Sequence, residues 1–521
     1  YAFQGTIDVA SNAILTIQNT ALPNFGEIGD GSTVVYSSSS PQTVYPTTYS
    51  NLTISGGDVK SIGNSPFVTT VSNNLHIEEG NILSLSVINR VLKLLGTISG
   101  TGVINGNALA TIEIGGTGNF GPIYFSQDTE ASKSLRNFSI NRTAGSINLG
   151  SDLIVNIGLT IQAGSLNINS NTLTLKGGAI SGNSPQLIAT SSSNLVFEGS
   201  STDVFIPASV AQLNNLTINN TSSSGVSLSG DIALNGVLTV GGNSLLKMGG
   251  HSFIGPGSAV VDGKIEIANA DGFAGAFQNS GSINLAPAST IIYNGANQTI
   301  SPIPSPGYGN LTLAGSGAKS AGSSSIEVRG SMTVSGTTLD PGTSTFIFTG
   351  SGERTLPNVN FHHLTLNGSS TTTLGADLNL GGNLTLNGGA ILNAGTRNLN
   401  IGGNWNNING TFNCGSGTVA FNDESGVSEI INEPSPFNNL IVSGQELRLA
   451  TDIAVNGDLT IQEGSTLSIF DHELSLGGNL NNQGAFQHDG GLISFAGASS
   501  LTGASAFVLP HVNIEVTFTA P

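Results

Sequence analysis

Acid–base or metal chemistry in this chain would have to come from 32 Asp and Glu and seven His spread over 521 residues. Polysaccharide cleavage, for example, needs carboxylates held together on one face. The close acidic groups are Glu78–Glu79, Asp423–Glu424, and Asp471 with Glu473 either side of His472. The last is the strongest acid–base candidate, set against a plainer reading as a solvated turn. No Asp-Asp pair occurs, and Gly250–His251 lacks the flanking residues of a pectinase signature. The His are dispersed. Adjacent His362 and His363 on a strand would send one ring inward and one outward, which is packing rather than metal binding. There is no G-G-x-G-x-D calcium repeat. No catalytic, cofactor or metal residue is therefore assigned, and the chain is expected not to be an enzyme. A polysaccharide-active enzyme working through Asp471 and Glu473 is the remote alternative.

Composition narrows the partners. Charged residues are 9% of the chain, against roughly 25% in ordinary globular domains. The net charge is −18, with only 14 Lys and Arg, so nucleic acid and membrane insertion are not expected. No run approaches the ~18 apolar residues of a membrane-spanning helix. Cys414 is the only cysteine, which excludes an intrachain disulfide. The chain starts at Tyr1, which reads as a mature chain whose leader has been removed. Sequons are frequent, at Asn51, Asn137, Asn141, Asn215, Asn297, Asn310, Asn367, Asn383 and Asn409. Several fall inside a repeated signature, so their origin reads as structural.

That signature, N-L-T-I or a close relative, occurs seven times: Asn51–Ile54, Asn137–Ile140, Asn215–Ile218, Asn310–Leu313, His363–Leu366, Asn439–Val442 and His511–Ile514. An aromatic in a V-x-F element precedes each: Tyr36, Phe125, Phe197, Tyr293, Phe348, Phe421 and Phe495. A third element, D-I-x-V-x-G-x-L-T-I, follows, clearest from Asp152, Asp231, Asp377 and Asp452. Seven imperfect modules result, the two partial ends counting as one: about 1–35 (partial), 36–124, 125–196, 197–292, 293–347, 348–420, 421–494 and 495–521 (partial). Candidate projecting insertions are 117–134 and 255–286.

Within the modules, short alternating apolar runs sit between Gly, Asn and Ser, which reads as strand and turn. Central apolar positions at Leu378, Leu384, Ile391, Leu399, Trp405, Phe412 and Val419 recur every six to eight residues. Strands so short cannot build independent hairpins. Three such units make a rung of about 21 residues, the size of one turn of a parallel β-helix. The expected fold is all-β: one continuous β-solenoid of roughly 25 rungs, built from super-repeats of about 75 residues. A string of small β-sandwiches is the competing architecture.

The stretches Gly382–Gly389 (G-N-L-T-L-N-G-G), Gly457–Gly464 (G-D-L-T-I-Q-E-G) and Leu474–Gly484 (L-S-L-G-G-N-L-N-N-Q-G) resemble the repeat-containing surface and adhesin-like β-solenoid proteins of bacteria. The resemblance implies an extracellular or cell-surface location and a structural or adhesive role. It supplies no functional residues.

The seventh signature lacks its third element, and Ile7–Ile17 at the start of the chain supplies one. Joining the two ends would continue the repeat in register. The expectation is a head-to-tail homopolymer in which Val512, Ile514, Val516 and Phe518 of one subunit pack against Tyr1, Phe3, Ile7 and Val9 of the next. The alternative is an adhesin fragment that binds glycans or surfaces.

Overall fold

Alternation decides the architecture. In Asn215–Ile218 the signature reads half-exposed, buried, half-exposed, buried, so Leu216 and Ile218 face a core while Asn215 and Thr217 face out. A computed structural model of the chain shows the same pattern in strand after strand. It describes residues 5–21, 24–85, 89–177, 180–183, 186–424, 426–432, 435–504, 508–514 and 518–519. The fold is a parallel β-solenoid of about 23 turns, with about 21 residues per turn and almost no helix. The one helix among the described residues is the short Gly272–Ala276, and none is long and apolar enough to cross a membrane.

Two compact units are distinguished. The first comprises Tyr1–Ile265 with Ala276–Asn284, the second Glu266–Gly275 with Leu285–Pro521. The second is the more regular. There one turn is three strands, such as His363–Asn367, Thr371–Leu374 and Leu378–Leu380, each in a different sheet. Leu384 then lies beside Leu364, 20 residues on. In the first unit some strands run much longer. Ser134–Leu149 and Leu153–Asn167 pair in parallel through three register shifts, so each bends while staying bonded. Arg142 sits at one such bend. Its guanidinium is buried and donates to the carbonyls of Gly115, Thr117, Gly118 and Asn119, which gathers part of segment 117–134. That segment also supplies the strand Gly121–Ile123 and buried Phe125. The division between the units falls inside segment 255–286.

The three-part signature is three successive rungs of one column. The aromatic strand pairs with the N-L-T-I strand, as Phe197 with Ile218, Tyr293 with Leu313 and Phe421 with Val442. The N-L-T-I strand then pairs with the L-T-I part of the third element, as Leu216 with Leu238 and Leu440 with Leu459. Each such leucine is fully buried, so replacing one by alanine removes about 2–5 kcal/mol. In the second unit the column changes from module to module. The strand containing Leu364 belongs to a nine-stranded sheet, that containing Leu440 to an eight-stranded sheet, and that containing Val512 to a four-stranded sheet. A super-repeat is therefore not a whole number of turns, and the signature steps to another face each time.

The conserved-looking polar letters of the repeat work at corners, where the ladder leaves backbone N–H groups without partners. The Asn215 side-chain carbonyl accepts the Val237 N–H at 2.8 Å, and Asn310 accepts Ser331 at 2.9 Å. A relay of the same kind runs from Asn383 to Asn404 and from Asn404 to Glu429, each at 2.9 Å. The Asp of the third element does likewise: Asp152 accepts Thr172, Asp231 accepts Ser252, Asp377 accepts Asn398 and Asp452 accepts Glu473, at 2.7–3.0 Å. Each bond joins one rung to the next, which gives the sequon asparagines Asn215, Asn310 and Asn383 a structural role.

Inside the core, one corner is built twice with the same wiring. In the first unit Tyr36 and Tyr49 hydroxyls lie 3.0 Å apart; Tyr49 donates to the Tyr45 carbonyl and Tyr36 accepts the Tyr45 N–H. In the second, Tyr293 and Tyr308 hydroxyls lie 2.6 Å apart; Tyr308 donates to the Ser301 carbonyl and Tyr293 accepts the Ser301 N–H. Beside each tyrosine pair, an inward Gln is stacked on an inward Lys of the next rung, Gln42 on Lys60 and Gln298 on Lys319. Both glutamine amides donate back to two carbonyls of the preceding rung: Ile17 and Asn19, or Ile267 and Asn269. Lys60 donates to the carbonyls of Ser38 and Gly57. Lys319 donates to those of Gly295, Ala296 and Ser316. Burial lowers both lysine pKa values. It raises all four tyrosines, Tyr36 to about 12.

Candidate functional surfaces

Those of the residues expected at a polymer joint that are described lie on three strands, one in the first unit and two in the second. In the first unit Ile7 and Val9 lie on Thr6–Val9, which pairs with Asn24–Ile28 in a two-stranded sheet. Ile7 is half-buried and Val9 is buried against the core. In the second unit Val512 and Ile514 lie on His511–Ile514, paired with Leu492–Phe495. They are 40% and 49% exposed, unlike the buried leucines of earlier signatures. Phe518 lies on the strand Phe518–Thr519, which pairs with Ser499–Thr502. Tyr1, Phe3 and Val516 lie outside the described residues.

The acidic–histidine candidate turns out to be a repeated corner. His472 Nδ1 lies 3.7 Å from Asp452 Oδ1, and its Nε2 lies 3.9 Å from Asp471 Oδ1. Glu473 turns to the next rung and accepts the Ser494 hydroxyl at 2.6 Å. The first unit holds the same pair, with His251 Nδ1 3.7 Å from Asp231 Oδ1. In both, that Asp oxygen already accepts the N–H of the residue after the His. The sequence spacing put His472 between Asp471 and Glu473, but its shared partner is Asp452, one rung back. Among the described residues no three His, Cys, Asp or Glu gather to hold a metal ion.

His362 and His363 depart from the expected inward–outward split. Both are half-buried, with ring centres 4.2 Å apart. The inward place belongs to Phe361, which is 1% exposed. His363 stands where five of the other six signatures carry Asn, and its Nδ1 accepts the Asn383 N–H at 2.9 Å. Burial and the neighbouring His362 lower its pKa, which favours the neutral ring that this acceptor role needs.

One surface feature was not foreseen. Phe67, Asn89, Val91, Leu109, Thr111 and Arg136 line a shallow groove on the first unit. Phe67 is 62% exposed, and the buried Arg90 guanidinium lies 5.4 Å from its ring centre. The available signal was an aromatic after a Pro in a turn, Ser65-Pro66-Phe67, outside the alternating pattern. Compared with known proteins, the chain matches no family model, no curated sequence and no solved structure.

Proposed function

We propose that this protein is an extracellular or cell-surface structural β-solenoid whose copies stack end to end into a filament. The observation that supports this is the strand His511–Ile514, which displays Val512 and Ile514 at 40% and 49% exposure while its neighbours in the column are buried. Apolar strand edges of this kind template a further strand. Thr6–Val9 offers a strand of matching alternation, Thr-Ile-Asp-Val. A contact between two different edges generates an open fibre wherever the rotation between copies does not close a ring. The role is mechanical rather than catalytic. The low charge and the resemblance to bacterial surface solenoids agree with that reading.

Negative-stain electron microscopy of the purified chain tests it. Long unbranched fibres one solenoid wide are expected. A Val512→Asp, Ile514→Asp variant keeps its β circular dichroism and stops polymerising. Isolated particles from the unaltered chain overturn the filament reading. The groove around exposed Phe67 favours a second reading, adhesion to glycans, because an open aromatic face beside polar Asn89, Thr111 and Arg136 suits a sugar ring. Glycan-array binding by a non-polymerising chain, lost on Phe67→Ala, would select it.

A further inference from the structure

The inward corner that carries Gln on Lys twice has equivalents in three other modules. The paired inward residues are Val204 on Val226, Arg354 on Thr372, and Ser428 on Leu447. One positive charge is thus buried at this corner in three modules out of five. In the two Gln–Lys corners the ammonium is met by several backbone carbonyls at hydrogen-bonding distance. The Arg–Thr corner is wired differently.

Arg354 is 6% exposed and Thr372 is fully buried. Nη2 of Arg354 donates to the Gly350 carbonyl at 3.1 Å and, weakly, to that of Arg329 at 3.5 Å. Gly350 is the counterpart of Gly295 and Ser38, so this acceptor is the one a lysine takes elsewhere. Nη1 meets no protein partner, nor does Oγ1 of Thr372 beside it in register. Oγ of Ser370, two residues earlier and fully buried, is unpartnered too. Lys60 and Lys319 reach a carbonyl three residues upstream in their own rung; Thr372 is too short to do so. Its end of the corner is therefore left with the Nη1 donor and two hydroxyls, each able to donate or accept, none of which meets a protein partner.

Charge sharpens the mismatch. Among the described residues no carboxylate forms an ion pair with Arg354. Its neighbour Glu353 is exposed on the outer side of the strand. Burial is the single cause pressing on the guanidinium, with no acidic group to oppose it. The Phe348 ring, 5.3 Å from Cζ, covers one face of the guanidinium. A buried cation requires an anion or a full set of acceptors, and two carbonyls are not a full set for five N–H donors.

We propose that the Arg354–Thr372 corner is a built-in site for a small monatomic anion, chloride in solution, held by Arg354 Nη1 and the Thr372 and Ser370 hydroxyls. Nη1 can only donate and both hydroxyls can turn their O–H inward, so the anion supplies one acceptor shared by all three together with the missing charge. The site makes stability of this module depend on halide. The Gln–Lys corner at Lys319 carries no such dependence, because its ammonium already meets three carbonyls.

Bromide tests the assignment directly. Crystals of the intact chain grown in sodium bromide should show an anomalous peak within contact distance of Arg354 and Thr372; no peak, or a water refining there instead, overturns the proposal. In solution, the folded-to-unfolded ratio of the unaltered chain should rise with chloride, approaching tenfold per tenfold of chloride above the dissociation constant. Sodium gluconate at equal ionic strength serves as the reference. Arg354→Met should abolish the difference. Thr372→Val keeps shape and charge and so guards against a variant that fails to fold; it should weaken the dependence. An unchanged chloride dependence in both variants sinks the idea.

Discussion

The corner at Tyr293, Gln298, Tyr308 and Lys319 and the corner at Phe348, Arg354, Phe361 and Thr372 occupy the same place on the same kind of rung, one module apart. Each buries one positive charge, and Gln with Lys contains as many side-chain heavy atoms as Arg with Thr. Volume and charge are conserved, yet the hydrogen bonding is not. The tyrosine corner closes every donor on a named acceptor. The phenylalanine corner leaves Nη1 of Arg354 and Oγ1 of Thr372 open. A parallel solenoid thus tolerates exchanges of side chain at a fixed backbone corner as long as size and charge balance, while satisfaction of polar groups varies from rung to rung.

Removing the cation separates the two corners most strongly. Lys319→Met takes the donor from the part-buried carbonyls of Ala296 and Ser316, while that of Gly295 keeps the Ser316 N–H. At about 1–3 kcal/mol per lost partner, a loss of roughly 2 kcal/mol or more is expected in urea unfolding. Lys60→Met takes the donor from two carbonyls, those of Ser38 and Gly57, and costs about as much. If either variant matches the unaltered chain, the carbonyl cages are not what secures these rungs.

Converting one corner into the other is a finer test. Arg354→Gln alone and Thr372→Lys alone should each cost about 2 kcal/mol. Together they rebuild a Gln–Lys corner and should come within about 1 kcal/mol of the unaltered chain. A double-mutant cycle then gives a coupling of about 3 kcal/mol or more. Additive losses would mean that the surrounding backbone, not the pair, sets the wiring.

Alkali distinguishes the corners most gently. Burial holds Tyr36 protonated until about pH 12, and pushes Tyr49, Tyr293 and Tyr308 upward as well. The folded chain keeps a proton that the unfolded chain releases near pH 10. The stabilisation is whole below about pH 10 and falls as pH rises toward about 12, by at most about 1.4 kcal/mol per pH unit per tyrosine. Phenolate absorbance during alkaline titration should therefore appear together with unfolding. Tyr36→Phe and Tyr49→Phe together should move the onset upward in the first unit alone; the Phe348 corner has no such titration.

Much of the fold was legible because its rules are local. Gly and Asn punctuation marked the corners, and the spacing from Leu378 to Val419 gave strand, turn and rung length. The sequons inside N-L-T-I read as structural, and Asn215 and Asn310 serve at corners. The interior polar corners were not legible, since Lys60 and Lys319 contradict the usual exposure of lysine. Their signal was present in the equal interval of 11 residues from Tyr49 to Lys60 and from Tyr308 to Lys319. The partner of His472 was hidden for a related reason. Neighbours in a solenoid sit one turn apart in sequence, so Asp452 outranks the adjacent Asp471. The expected joint at Ile7, Val9, Val512 and Ile514 falls on strands, but alternation alone cannot say which strand edges stay open.

In the second unit the super-repeat ends before its last turn is complete, so the strands at Leu364, Leu440 and Val512 belong to three different sheets. Three copies of one short sentence are thus spoken in three directions. A ligand that recognised a single copy could not run straight along one wall to meet the next; it would have to wind with the chain. A flat surface pressed against any one wall would meet a different phase of the repeat from that met on the wall beside it.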